Sequence, residues 1–141
     1  MNFSGKYIGT LWYGEGYGEG IIGTELAFQM EIEETDDVFV GVSVDLEGSG
    51  KSPDEARVQG IIGESMISFD KVYKSYHYDD EEGNLVVDKT QEGFPIEYNG
   101  LFNEETGYYE GTWRMIALRK YWFFSTKQVC LGKGTFQLKR V

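Results

Sequence analysis

With 141 residues and a single cysteine, the chain is long enough for one hydrophobic core without disulfide staples and too short for two, so residues 1–141 are read as one domain. Thirteen basic against 24 acidic residues leave a net charge of −11, which excludes nucleic acid as a partner and fits either a solvated acidic surface or steering toward a basic protein. Met1 leads into Asn2-Phe3-Ser4-Gly5-Lys6 without an apolar leader, and no later stretch is apolar for the length of a membrane span, so a cytoplasmic protein with no membrane partner is expected.

Along the chain, glycine alternates with aromatic or large apolar residues at spacing two. The pattern runs through Tyr7-x-Gly9-x-Leu11, Tyr98-x-Gly100-x-Phe102, Tyr109-x-Gly111-x-Trp113-x-Met115 and Gly134-x-Phe136-x-Leu138. Period two means strands with one buried face, and glycine inside a strand marks a bend or a close backbone approach. Strands are predicted over 4–13, 22–33, 37–47, 56–63, 65–78, 94–103, 107–118 and 129–140. Turn chemistry separates them at Thr35-Asp36-Asp37, Gly48-Ser49-Gly50 through Pro53-Asp54, Glu82-Gly83-Asn84 and Asn103 to Gly107. Residues 85–93 are expected to extend the fifth and sixth strands into a long hairpin, with Pro95 at an edge or bulge. No segment carries helical periodicity. The fold class is therefore all-β, and closing the eight-stranded antiparallel meander into an up-and-down barrel removes both exposed edges.

These landmarks resemble, in order and spacing, those of avidin and streptavidin among the calycin barrels. Gly5-Lys6-Tyr7-Ile8-Gly9 is similar to the family's opening strand, Gly41-x-Ser43-x-Asp45 to its third, and Ile67-x-Phe69-x-Lys71-x-Tyr73 to its fifth. Tyr98-x-Gly100-x-Phe102 is similar to the sixth strand, Gly111-Thr112-Trp113 to the seventh, and Leu131-Gly132-Lys133-Gly134-Thr135-Phe136 to the last. The biotin-contacting pattern is not matched: Gly9 and Gly134 stand where the family has an asparagine and an aspartate, and Ser43 and Asp45 where it has a tyrosine and a serine. The resemblance thus implies a calycin-like ligand barrel that does not take biotin. Met1 to Tyr7 also resembles the start of intracellular fatty-acid-binding proteins, but residues 14–24 are too glycine-rich for the helical pair that follows there.

The resemblance turns Tyr7, Leu11, Tyr13, Phe28, Phe39, Ser43, Asp45, Phe69, Lys71, Tyr73, Tyr98, Trp113, Met115 and Phe136 inward. An aromatic interior is either packed core or pocket wall in a barrel of this size. An inward Asp45 and Lys71 must be paired with each other, set against a ligand group, or wetted at a barrel end. The candidate ligand-binding residues are Tyr13, Ser43, Asp45, Phe69, Lys71, Tyr73, Tyr98, Trp113 and Trp122. Trp122, in the aromatic run Tyr121-Trp122-Phe123-Phe124, stands where the avidin family reaches into a neighbouring subunit's pocket, which implies a homo-oligomer; the alternative is a local plug closing one end of the barrel. The loop Gly14 to Gly20 fits no phosphate-binding motif and reads as a flap over the mouth or a surface turn.

Catalysis finds little support. His77 is the single histidine, no G-x-S-x-G elbow is present, Cys130 is expected to be a buried inert thiol, and Asp79-Asp80-Glu81-Glu82 lacks calcium-loop spacing. No catalytic residue, cofactor or metal is expected. The reading is non-covalent binding of a hydrophobic or amphipathic small molecule. The alternatives are an acidic interaction or inhibitor module with a packed barrel, and third, a barrel enzyme acting through Lys71 or tyrosine.

Overall fold

The computed structural model describes residues 2–79, 82, 85–88, 90, 92–121 and 125–141. In chain order the strands are β1 (Gly5–Tyr13), β2 (Glu25–Thr35), β3 (Val38–Gly48), β4 (Ala56–Ile62), β5 (Met66–Tyr73), β6 (Tyr76–Asp79), β7 (Leu85–Asp88), β8 (Ile96–Asn103), β9 (Tyr108–Tyr121) and β10 (Ser125–Arg140). Eight of them close a barrel in the order β1-β10-β9-β8-β5-β4-β3-β2, every pair antiparallel, and β1 seals against β2. Among the described residues there is no α-helix, and so none long and apolar enough to cross a membrane.

Where a long extension of the fifth and sixth strands was expected, β6 and β7 instead pair as a separate two-stranded sheet. The β5–β8 ladder stops at Lys71↔Ile96 because the next residue on β8's side is Pro95, which has no N–H to donate. The chain instead ties back through Gly93, whose N–H donates to the Tyr73 carbonyl at 3.0 Å. The β2–β3 hairpin turns on Asp36 and Asp37, both at positive φ (54° and 67°), the signature of a type I′ turn whose twist matches the strands.

The residues with inward parity are those the barrel removes from solvent: Tyr7, Phe28, Phe39, Phe69, Lys71, Tyr98, Trp113 and Phe136 are buried, while Tyr13, Tyr73 and Met115 are partly so. At mid-height Phe69 and Tyr98 stack at 4.6 Å, nearly parallel, and Phe136 meets Tyr98 edge-on at 5.1 Å. Such geometries add about 0.5–1.5 kcal/mol each beyond burial. Cys130 departs from expectation: it is exposed, because a bulge between Cys130 and Gly132 breaks the inward series Gly132, Gly134, Phe136 and Leu138.

Candidate ligand-binding site

The two ends of the barrel are built differently. At one end Phe3, Tyr7, Ile32, Phe39, Ile62, Ile67 and Tyr109 fill the interior, and Tyr7 donates its hydroxyl to the Phe3 carbonyl at 2.7 Å. At the other end the strands splay around an open cavity of about 600 Å³, within the usual range for small-molecule sites. Six aromatic side chains, Tyr13, Tyr17, Tyr73, Phe94, Tyr98 and Trp113, stand in its wall among aliphatic, glycine and serine residues.

Tyr13, Tyr17 and Trp113 are each held by specific contacts. Tyr13 donates to the Ser49 carbonyl at 2.6 Å, tying β1 to the loop after β3. The Trp113 indole N–H donates to the Trp12 carbonyl at 3.2 Å across the space left by Gly134, where a Cβ would lie 1.9 Å from that same carbonyl oxygen. Tyr13 meets Trp113 edge-on at 5.7 Å. Tyr17 comes from the glycine-rich segment after β1. It packs edge-on against Tyr13 at 4.9 Å and lies over Gly132, where any side chain would collide with its ring. Hydrogen bonds from Gly14 N–H to the Lys133 carbonyl and from Lys133 N–H to the Glu15 carbonyl pin this segment to β10. Of the two readings of this segment, flap or surface turn, its contacts favour the first: Tyr17 and Ile21 line the cavity, while Gly18 and Gly20 face open space.

Below the cavity sit the two inward charges. Asp45 is 3 % exposed and accepts a hydrogen bond from the Tyr73 hydroxyl at 2.7 Å and from the Ser52 backbone N–H at 2.8 Å. Lys71 is fully buried, and its Nζ makes no hydrogen bond. It lies 4.5 Å from the centroid of Phe28, 5.1 Å from Tyr98 and 5.4 Å from Tyr73, a cage of ring faces that attracts a cation. Burial pushes the Lys71 amine down to about 8, partly offset by the attraction of Asp45. Burial likewise pushes Tyr98 and Tyr73 well above the ordinary tyrosine value, with Asp45 adding to both shifts. The Tyr98 hydroxyl and Ser43 Oγ are also buried without a hydrogen-bond partner. Buried polar atoms without partners are rare and costly, and three occur on inward-facing positions of three adjacent or near-adjacent strands.

Of the residues singled out from sequence, Tyr13, Tyr73, Tyr98 and Trp113 line the cavity together. Ser43, Asp45 and Lys71 face inward but do not line it, and Phe69 belongs to the stacked layer below. Trp122 lies outside the described residues, and His77 sits on β6, outside the barrel sheet. Sequence reasoning missed Tyr17, Ser52 and Phe94. Tyr17 was legible as the one aromatic in an otherwise glycine and glutamate loop. Ser52 was less so: Asp54 N–H donates to its hydroxyl at 3.1 Å, a local turn that directs Ser52 N–H back to Asp45.

Comparison with protein-family models, with curated proteins and with solved structures finds no match to this chain, so the site's own geometry carries the functional argument.

Proposed function

We propose that the barrel binds a small amphipathic ligand non-covalently, with an aromatic or aliphatic body in the open half and an acceptor group directed toward Tyr98, above the buried positive charge of Lys71. One observation carries this reading: a cavity of about 600 Å³ with six aromatic side chains in its lining includes Tyr98, whose buried hydroxyl has no hydrogen-bond partner, and the buried Lys71 ammonium lies against the Tyr98 ring. A carbonyl or carboxylate would satisfy a hydroxyl that otherwise remains costly to bury.

The avidin-like reading of the sequence belongs to this proposal, as a ligand barrel that does not take biotin. The Phe28 ring occupies the space above Gly9, within 2.4 Å of where a Cβ would stand, and the Trp113 indole fills the corresponding space at Gly134. Both positions that the avidin resemblance would reserve for polar side chains are taken by rings. A packed interaction module is less well supported, because only one half of the barrel is filled. A lysine nucleophile is less well supported too: the Lys71 amine is lowered, but the Phe28, Tyr73 and Tyr98 rings stand around it and it does not line the cavity.

Titration with anilinonaphthalene sulfonate, an aromatic body with an anionic head, tests the proposal. Saturable single-site binding that quenches tryptophan emission is expected. Tyr98→Phe should weaken it about tenfold, the worth of one hydrogen bond to a charged group, and Lys71→Met should weaken it less, through loss of a nearby positive charge rather than of a contact. Met115→Trp, which narrows the lumen, should weaken it as well. Binding that is absent, or indifferent to all three variants, would overturn the proposal.

A further inference from the structure

The outer face of β3 carries an apolar residue at five successive outward positions: Val38, Val40, Val42, Val44 and Leu46, all 38–58 % exposed. Exposed aliphatic side chains scattered singly need no explanation, but an unbroken row along a whole strand does. Neighbouring strands do not share it. Outward positions on β2 include Glu31 and Glu33, and those on β4 include Arg57 and Gln59, with Ile61 extending the row beside Val38.

We infer that this face is the interface of a symmetric dimer, its occupant a second copy of the same chain packed with a two-fold axis along β3. The charge arrangement argues for a copy of itself. Across the sheet the order is Glu31 and Glu33 on β2, aliphatic residues on β3, and Arg57 followed by the uncharged Gln59 and Ile61 on β4. A two-fold axis parallel to β3 lays one row on the other and sets β2 of each copy against β4 of its partner. The heights match as well. Glu31 and Arg57 both pair with Val42, so Glu31 of one copy meets the guanidinium of the other at the same level, and Glu33 likewise meets Gln59. The present partners of these groups are surface ion pairs, Lys6 with Glu31 at 3.6 Å and Arg57 with Glu92 at 2.9 Å, which cost little to rearrange. An axis across the strands would instead set Glu31 and Glu33 against their own copies.

Size fits a modest affinity. Nine residues of strand span about 30 Å, and the three strands β2 to β4 about 15 Å. The face therefore offers about 450 Å² per copy, well below the ~800 Å² of a standard interface and at the weak, transient end of specific contacts. A groove of about 430 Å³ beside Val40 and Val42, opening toward Lys6 and Glu31, gives the row relief into which a partner's side chains can key. The net charge of −11 on each copy opposes association at low salt, so the dimer should tighten as ionic strength rises from about 10 mM to about 150 mM.

Sedimentation velocity of the full chain from about 1 µM to about 200 µM tests this. A monomer–dimer equilibrium is expected in the micromolar range. Val42→Glu should raise the dissociation constant at least about tenfold with an unchanged melting curve. Arg57→Glu should weaken the dimer, and adding Glu31→Arg should restore it to within about threefold, because the swap preserves complementarity in both halves of a two-fold interface. A monomer throughout the range would overturn the inference and leave the face to a different protein. A dimer unaffected by Val42→Glu would overturn it too, as would one that the double charge swap fails to restore.

Discussion

Because Lys71 is walled by Phe28, Tyr73 and Tyr98 and lacks an acceptor, its ammonium is less stable in the folded barrel than in the unfolded chain, and folding stability must depend on pH accordingly. Its folded value is about 8 against an ordinary 10.5, so between those values the unfolded chain binds more protons and stability rises with pH. Below pH 8 the amine is charged in both states and the cost is present in full, about 3 kcal/mol at most. The tyrosines act in the opposite sense: Tyr17 and Tyr7, both raised to about 12, together with Tyr73 and Tyr98, favour the unfolded chain once pH passes 10. Urea midpoints should therefore climb from pH 8 to about 10 and then fall, and Lys71→Met should remove the climb while leaving the fall. Asp45→Ala should cost about 3–5 kcal/mol, because it leaves the buried Lys71 without its nearby negative charge and removes the hydrogen bonds that the Ser52 N–H and the Tyr73 hydroxyl make to the carboxylate. In that variant the Lys71 amine should titrate lower still, read from its side-chain NMR resonances.

At the scale of elements, the barrel is closed where backbones approach too closely for a side chain. At Gly134 a Cβ would lie 1.9 Å from the Trp12 carbonyl and 2.8 Å from the Trp113 indole nitrogen, so Gly134→Ala must part β1 from β10 or displace Trp113. A loss of at least about 3 kcal/mol is expected in denaturant unfolding, together with a red shift in tryptophan emission. The β2–β3 turn predicts a gain instead. Asp37 holds a φ of 67°, and Asp37→Gly should raise stability by up to about 1 kcal/mol by removing the Cβ penalty of the left-handed region. Tyr17→Ala should act on access more than on the scaffold, because the ring lines the open cavity and packs against Tyr13, Trp113 and the surface over Gly132. Stopped-flow mixing with anilinonaphthalene sulfonate should show faster association and faster release, with a melting temperature lowered by only a few degrees.

For the molecule as a whole, alternation and turn chemistry made the eight barrel strands legible, since a period of two with Thr35-Asp36-Asp37 or Asn103 to Gly107 between strands has few other readings. The inward parity of Tyr13, Tyr73, Tyr98 and Trp113 was legible for the same reason. That one half of the interior is filled and the other open was not, because it depends on where rings from β2, β5, β8 and β10 meet, which no single strand encodes. The row Val38 to Leu46 was hidden differently: the alternation of β3 drew attention to its inward Phe39, Ser43 and Asp45, and valine is a common residue on either face of a strand. Cys130 was misread because one bulged residue reverses parity. The resulting molecule is a packed scaffold at one end, a receptive cavity at the other, and an aliphatic strip along its side.

The most direct test of the account is a native mass spectrum of the protein purified gently from its own host. A small non-covalent adduct, released on denaturation and diminished by Met115→Trp, is the predicted result. A bare polypeptide mass in every charge state would contradict the ligand-binding account.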